Sequence, residues 1–355
     1  MAVLVALIGG CAHAKDVAFL NAKSAADQAE AEGRPRDAAI AYERAAASAK
    51  EGRNRGEARY LAAASYARLG DLERARELYQ QLLREEPGHA RAPRSAFALA
   101  QLQLQSGDQR AALVALDHVI VSYPNAGLAR RALALRLQAT REQGDAVSSF
   151  LNGLLPIVAS TELDEDVRYA VARELETSGR LSEARAAYLD CAARHPYPHG
   201  SLFDDALYHA SQLAEQLGDY PAAIADLERL LREREPSALV GSYERPRYAP
   251  SALRIAELYR DRLHDHPAAR RAFHRLYSDH DTSILRDDAL WQEALLARED
   301  GDERGTCTLT ALIKREFPSS RYAPCADVVC APHAAPGQGC HAYVLRSAVR
   351  PSAHE

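Results

Sequence analysis

Four of the six cysteines crowd the C-terminal end, where Cys307, Cys325, Cys330 and Cys340 follow one another as C-x17-C-x4-C-x9-C. That spacing lacks the paired C-x2-C of zinc ribbons, and Cys340-His341 does not complete a haem-attachment motif. In an exported chain the four are expected to form two disulfides, by any of three pairings; zinc is the alternative. Cys191 sits three residues after Tyr188 in an apolar helical register and is expected to be a free, buried thiol. A second set of ligand-type residues, His264, His266, His274 and His280, brackets a turn and the helix after it. No cysteine accompanies them and their spacing matches no metal site, so they are read as incidental; no metal or cofactor is expected. Carboxylates are plentiful but lie among arginines, as in Asp71-Leu-Glu-Arg-Ala-Arg-Glu77, the pattern of solvated helix pairs. No nucleophile elbow, phosphate-binding glycine loop, dinucleotide fingerprint or HExxH motif occurs, so no catalytic residue is assigned and the chain is expected not to be an enzyme.

The other distinctive cysteine stands near the N-terminus. Residues 2–8 are all apolar, too few to span a bilayer but suited to the core of a secretion signal. The following Leu7-Ile8-Gly9-Gly10-Cys11 resembles a bacterial lipobox, in which small residues fit the peptidase and the thiol accepts the lipid. Residues 1–11 are therefore expected to be a signal peptide and lipobox, with Cys11 the lipidated residue. No later apolar run reaches about 18 residues, so the lipid is the sole membrane contact expected.

These residues must be positioned by helices. Of 355 residues 70 are Ala, against 6% aromatic, a composition of closely packed helices rather than sheets. The net charge of −5 supplies no basic field for nucleic acid, which is not expected as a partner. Gly33, Gly70, Gly107 and Gly144 recur every 37 residues, and Gly179, Gly218 and Gly301 continue the series. One degenerate member falls at His264-Asp265, where the small turn residue is lost. Most of these glycines precede Asp, a turn residue that also opens helices. Five residues after each turn stands a small residue (Ala38, Ala75, Ala112, Ser149, Ala184, Ala223, Ala269, Thr306). Nine after it there is usually a large one, such as Tyr42, Tyr79, Tyr188 or Phe273, and seventeen after it Pro87, Pro124, Pro196 or Pro318 ends a helix.

This pattern of helix A, glycine turn, helix B and terminal proline resembles the tetratricopeptide repeat. The resemblance implies an all-α, right-handed α-solenoid of about eight helix-turn-helix repeats over residues 12–318, with the first, fourth and seventh degenerate. A loop insertion is expected at 235–250, and a Cys-bearing cap or tail at 319–355. The phrases Asp205-Ala-Leu-Tyr208, Asp288-Ala-Leu-Trp291 and Phe317-Pro-Ser-Ser-Arg-Tyr-Ala323 are similar to those of envelope lipoproteins. BamD-like outer-membrane assembly lipoproteins and the Tol-Pal-associated coordinator of cell division are the families of this style. The resemblance implies a partner-binding groove, lined ten residues before each turn by Tyr60, Phe97, Tyr169, Tyr208 and Trp291, with Arg94, Arg131 and Arg298 on the same helices. The alternative for these rings is packing between repeats. The expectation is thus a non-catalytic scaffold for protein partners, including extended peptide segments, lipid-anchored in the bacterial outer membrane and facing the periplasm. A cytosolic adaptor without the anchor is the alternative.

Overall fold

The computed structural model describes residues 16–142, 146–232, 245–331 and 333–348. Cys11 and its lipobox, Gly144, Asp145 and most of the 235–250 insertion lie outside them. The chain divides into two compact units after Asp164. The first holds four helix pairs: α1 (Val17–Ala31) with α2 (Pro35–Ser48), α3 (Gly52–Arg68) with α4 (Leu72–Glu85), α5 (Ala92–Gln105) with α6 (Gln109–Ser122), and α7 (Leu128–Glu142) with α8 (Val147–Val158). The second opens with α9 (Asp164–Thr177) and α10 (Leu181–Arg194), then α11 (Phe203–Gln216) with α12 (Tyr220–Arg232) and α13 (Tyr248–Asp261) with α14 (His266–Asp279). Its last pair is α15 (Arg286–Glu299) with α16 (Glu303–Glu316), followed by a 3-10 turn at Ala323–Cys325, α17 (Ala326–Cys330) and α18 (Ala342–Ala348). Among the described residues there is no strand, and the expected all-α class with its repeat arrangement holds.

The turns explain the glycine period. Gly33, Gly70, Gly107, Gly179, Gly218 and Gly301 all take φ between 70° and 82°, the left-handed conformation that lets the chain leave helix A and re-enter helix B. The next residue then caps helix B. Asp71, Asp108 and Asp302 each accept a hydrogen bond from the backbone N–H three residues on, and Asp219 does the same at 3.1 Å. In the seventh pair His264 adopts φ 52° and Asp265 caps α14, so the degenerate repeat keeps the turn without the glycine.

The small position also has its cause in the structure. Ala38, Ala75, Ala112, Ala184, Ala223 and Ala269 are fully buried, and Thr306 nearly so, where helices A and B cross. The large residues Tyr42, Tyr79, Leu116, Tyr188, Leu227 and Phe273 are buried beside them, each contributing roughly 1.5–3 kcal/mol by leaving water. The fourth pair departs from the pattern. Ser149 is exposed, because α8 turns Val147, Leu151, Leu154 and Val158 inward instead. In the first unit each helix from α1 to α8 packs on its chain neighbours, as do α10 to α17 in the second. Tyr169 of α9 meets Tyr188 of α10 edge-on at 5.2 Å.

Three substitutions check this register. Ala184→Leu is expected to cost roughly 1–3 kcal/mol by overpacking, measured by denaturant unfolding against an exposed Ala→Leu control. Gly218→Ala, whose added Cβ meets nothing within 4 Å, is expected to cost about 1–2 kcal/mol through backbone strain alone. His264→Gly is expected to be neutral or stabilising, and a loss there like that at Gly218 would contradict the assigned turn.

Candidate functional site

Of the five rings ten residues before a turn, two are buried in packing and three are partly exposed. Trp291 is 0% exposed and Phe97 4%, so neither presents a ring to a partner. Tyr60, Tyr169 and Tyr208 are half-buried. Arg94, Arg131 and Arg298 are exposed, and Arg131 lies over the Phe97 ring at 5.0 Å, in the next pair. Trp291 and Phe97 are therefore not available as groove anchors, and rings of this set contact the following pair, where a flat aromatic face suits a neighbouring guanidinium. Tyr60 shows the device in full. Arg91, immediately before α5, lies over its ring at 4.9 Å and makes two hydrogen bonds, of 2.8 and 2.7 Å, to the carboxylate of Glu57 one turn earlier on α3. Arg247, immediately before α13, repeats it over Tyr208 at 4.4 Å while donating to Asp205 at 2.8 Å.

The accessible groove lies on the adjacent stripe of the same A helices. In the first unit a cleft of about 850 Å³ is lined by Leu61, Ala64 and Ala67 of α3, Ala98, Gln101, Leu102 and Gln105 of α5, and Leu135 of α7. Arg68 and Glu30 form an ion pair at its edge, and the Arg68 guanidinium holds the Glu30 carboxyl below the usual carboxylate range. Sequence reasoning passed over these residues although a signal was present. Leu61, Ala98 and Leu135 each stand nine before Gly70, Gly107 and Gly144, one step beyond the ring position. One step is roughly 100° of helix turn, which carries a side chain from the packed face to the open one. An apolar floor with a few amides suits a segment of polypeptide whose side chains enter between the helices.

Comparison with known proteins agrees with this architecture. Two models of the tetratricopeptide repeat match the chain, one over residues 57–89 and one over 169–238. Over those two stretches the chain carries tetratricopeptide repeats. Among solved structures it is similar to the C-terminal part of a tetratricopeptide-repeat-containing protein of Cytophaga hutchinsonii, at 12% identity, TM-score 0.44, over 76% of this chain and 98% of that one. A tetratricopeptide repeat protein from Parabacteroides merdae is similar over 77% and 97%, at 14% identity and TM-score 0.33. PilF of Pseudomonas aeruginosa is similar over 65% and 94%, at 19% identity and TM-score 0.36. No curated protein matches the chain in sequence.

Cys307 of α16 pairs with Cys330 and Cys325 with Cys340, while Cys191 is free and buried. The histidines considered as ligands separate. His264 occupies its turn, His266 lies 2.7 Å from Asp300, and His274 lies 3.1 Å from Glu293. His280 is buried edge-on to Tyr248 at 6.4 Å. Among the described residues no three His, Cys, Asp or Glu side chains gather to hold a metal.

Two measurements follow from this geometry. A double-mutant cycle on Tyr208→Ala and Arg247→Ala is expected to give a coupling of about 0.5–1 kcal/mol in stability, and additive losses would break the proposed link between the two. Glu293 is buried, which raises its carboxyl above the ordinary value, while His274 opposes the shift. A raised carboxyl stabilises the fold at low pH, and that contribution is lost as pH rises through the folded value. Glu293→Gln is therefore expected to raise the melting temperature at pH 8 and to leave it nearly unchanged at pH 4. Equal shifts at both pH values would contradict the burial argument.

Proposed function

We propose that the protein is a non-catalytic scaffold that holds an extended segment of a partner protein in the groove of α3, α5 and α7. A lipid on Cys11 tethers it to the outer membrane, facing the periplasm. The observation that carries the binding reading is the groove itself, an open apolar stripe repeated along three successive A helices. Scattered apolar residues are ordinary on a surface, whereas a continuous stripe set apart from the packing face is a docking feature. The envelope reading draws its support from two paired cystines, which persist in an oxidising compartment, and from the lipobox-like Leu7–Cys11 segment.

The two parts of the proposal are tested separately. Growth with labelled palmitate is expected to mark the protein, and Cys11→Ser to remove both label and membrane association. An unlabelled protein in the soluble fraction would leave the cytosolic adaptor as the reading. For the groove, Leu61→Glu with Ala98→Glu is expected to weaken partner crosslinking in cells by about tenfold or more, the effect of losing a buried anchor of roughly 1.4 kcal/mol or greater. Both sites are partly buried, so the melting temperature is measured alongside, and undiminished capture by the folded variant would exclude the groove.

A further inference from the structure

The segment after the eighth repeat repeats the opening of an A helix. Arg321-Tyr322-Ala323-Pro324 has the same residues as Arg247-Tyr248-Ala249-Pro250, which begins α13, and Arg91-Ala92-Pro93 begins α5 in similar fashion. The contacts repeat as well. Arg321 donates to Asp288 at 2.6 Å, as Arg247 does to Asp205, and both carboxylates stand three residues before the ring position of the preceding A helix. Tyr322 is 5% exposed and Tyr248 3%, each buried against that preceding helix. In the tail Tyr322 stacks on Trp291 at 4.8 Å and 17° between planes. The resemblance then stops, for α17 ends at Cys330, after five residues.

We infer that residues 321–330 are the opening of a ninth repeat, and that the Cys307–Cys330 and Cys325–Cys340 disulfides replace the helix B that would hold it. The end face of α15 and α16 is then a helix-stacking surface occupied in cis by a strap, and the cystines lock the strap in place. Five- and seven-residue helices do not persist by themselves, so the strap depends on its cross-links and on Tyr322, Val329 and Val344 resting on the face. A dithiol reductant gives each cystine two electrons and two protons, yielding two thiols and the cyclic disulfide of the reagent. The reduced strap then leaves the end face, and Trp291 beneath it meets solvent.

The chain's single Trp is Trp291, buried beneath the strap, so its fluorescence reports release directly. Full-length protein in dithiothreitol is expected to gain four titratable thiols, to show red-shifted emission with severalfold stronger iodide quenching, and to keep its helical circular dichroism. Size exclusion with light scattering should show an unchanged mass, so that the emission change reports release of the strap rather than association, and reoxidation should restore the starting emission. The variant carrying Cys307→Ser, Cys325→Ser, Cys330→Ser and Cys340→Ser should behave in the same way without reductant. If that variant does not fold, the reduced wild-type chain carries the test. Unchanged Trp291 emission once the four thiols are free would overturn the lock. A red-shifted Trp291 emission that persists after the cystines re-form would overturn them as the lock.

Discussion

A pair of helices joined by a short turn buries one face between its members and leaves apolar surface on the outside, and that surplus governs this protein. No pair can satisfy itself, so each must be covered by the next, and every device described above serves that coverage. Small residues at Ala75, Ala112, Ala184 and Ala223 let the two helices of a pair approach closely enough to act as one slab. The left-handed turn and its Asp cap fix the angle at which the second helix leaves the first, so that one slab presents the same surface as another.

Coverage between pairs is not left to apolar contact alone. Arg91 and Arg247 each stand at the threshold of an A helix and reach back to a carboxylate and a ring on the previous one. The arrangement has a functional consequence. Because rings and guanidinium groups occupy the stripe between slabs, the next stripe of the helix is left to Leu61, Ala98 and Leu135, which line an open cleft. Packing and exposure thus fall to adjacent side chains on one helix, divided by a single residue step.

An array of this kind has an unsolved end wherever it stops, since the last slab has no successor. Here the surface carrying Leu290, Trp291 and Leu295 is closed by the cystine-linked segment of α17 and α18. Covalent bonds supply what packing cannot, in the way that small exported domains with little core depend on cystines. The tail cysteines belong to the same physical problem as the repeat itself.

Much of this was legible in the sequence because it is local. A glycine needed at positive φ, an Asp that caps, a small residue at a crossing and a proline that stops a helix act within one repeat, so their period of about 37 residues could be read directly. The burial of Cys191 followed from the same register. What depended on a neighbour could not be read this way. The sequence placed Tyr60, Tyr208 and Trp291 on one face, but whether that face met solvent or the next slab was settled only by the arginines and Tyr322 arriving from the following segment. Ser149 kept the expected spacing, yet the packing of α8 turned other residues inward. Four cysteines allowed three pairings, and tertiary structure chose one because α17 packs on α16, which brings Cys330 to Cys307, and the chain then returns so that Cys340 meets Cys325. Sequence determines what a segment does within its own turn of helix; which face is left open is decided by the segment that comes to cover it.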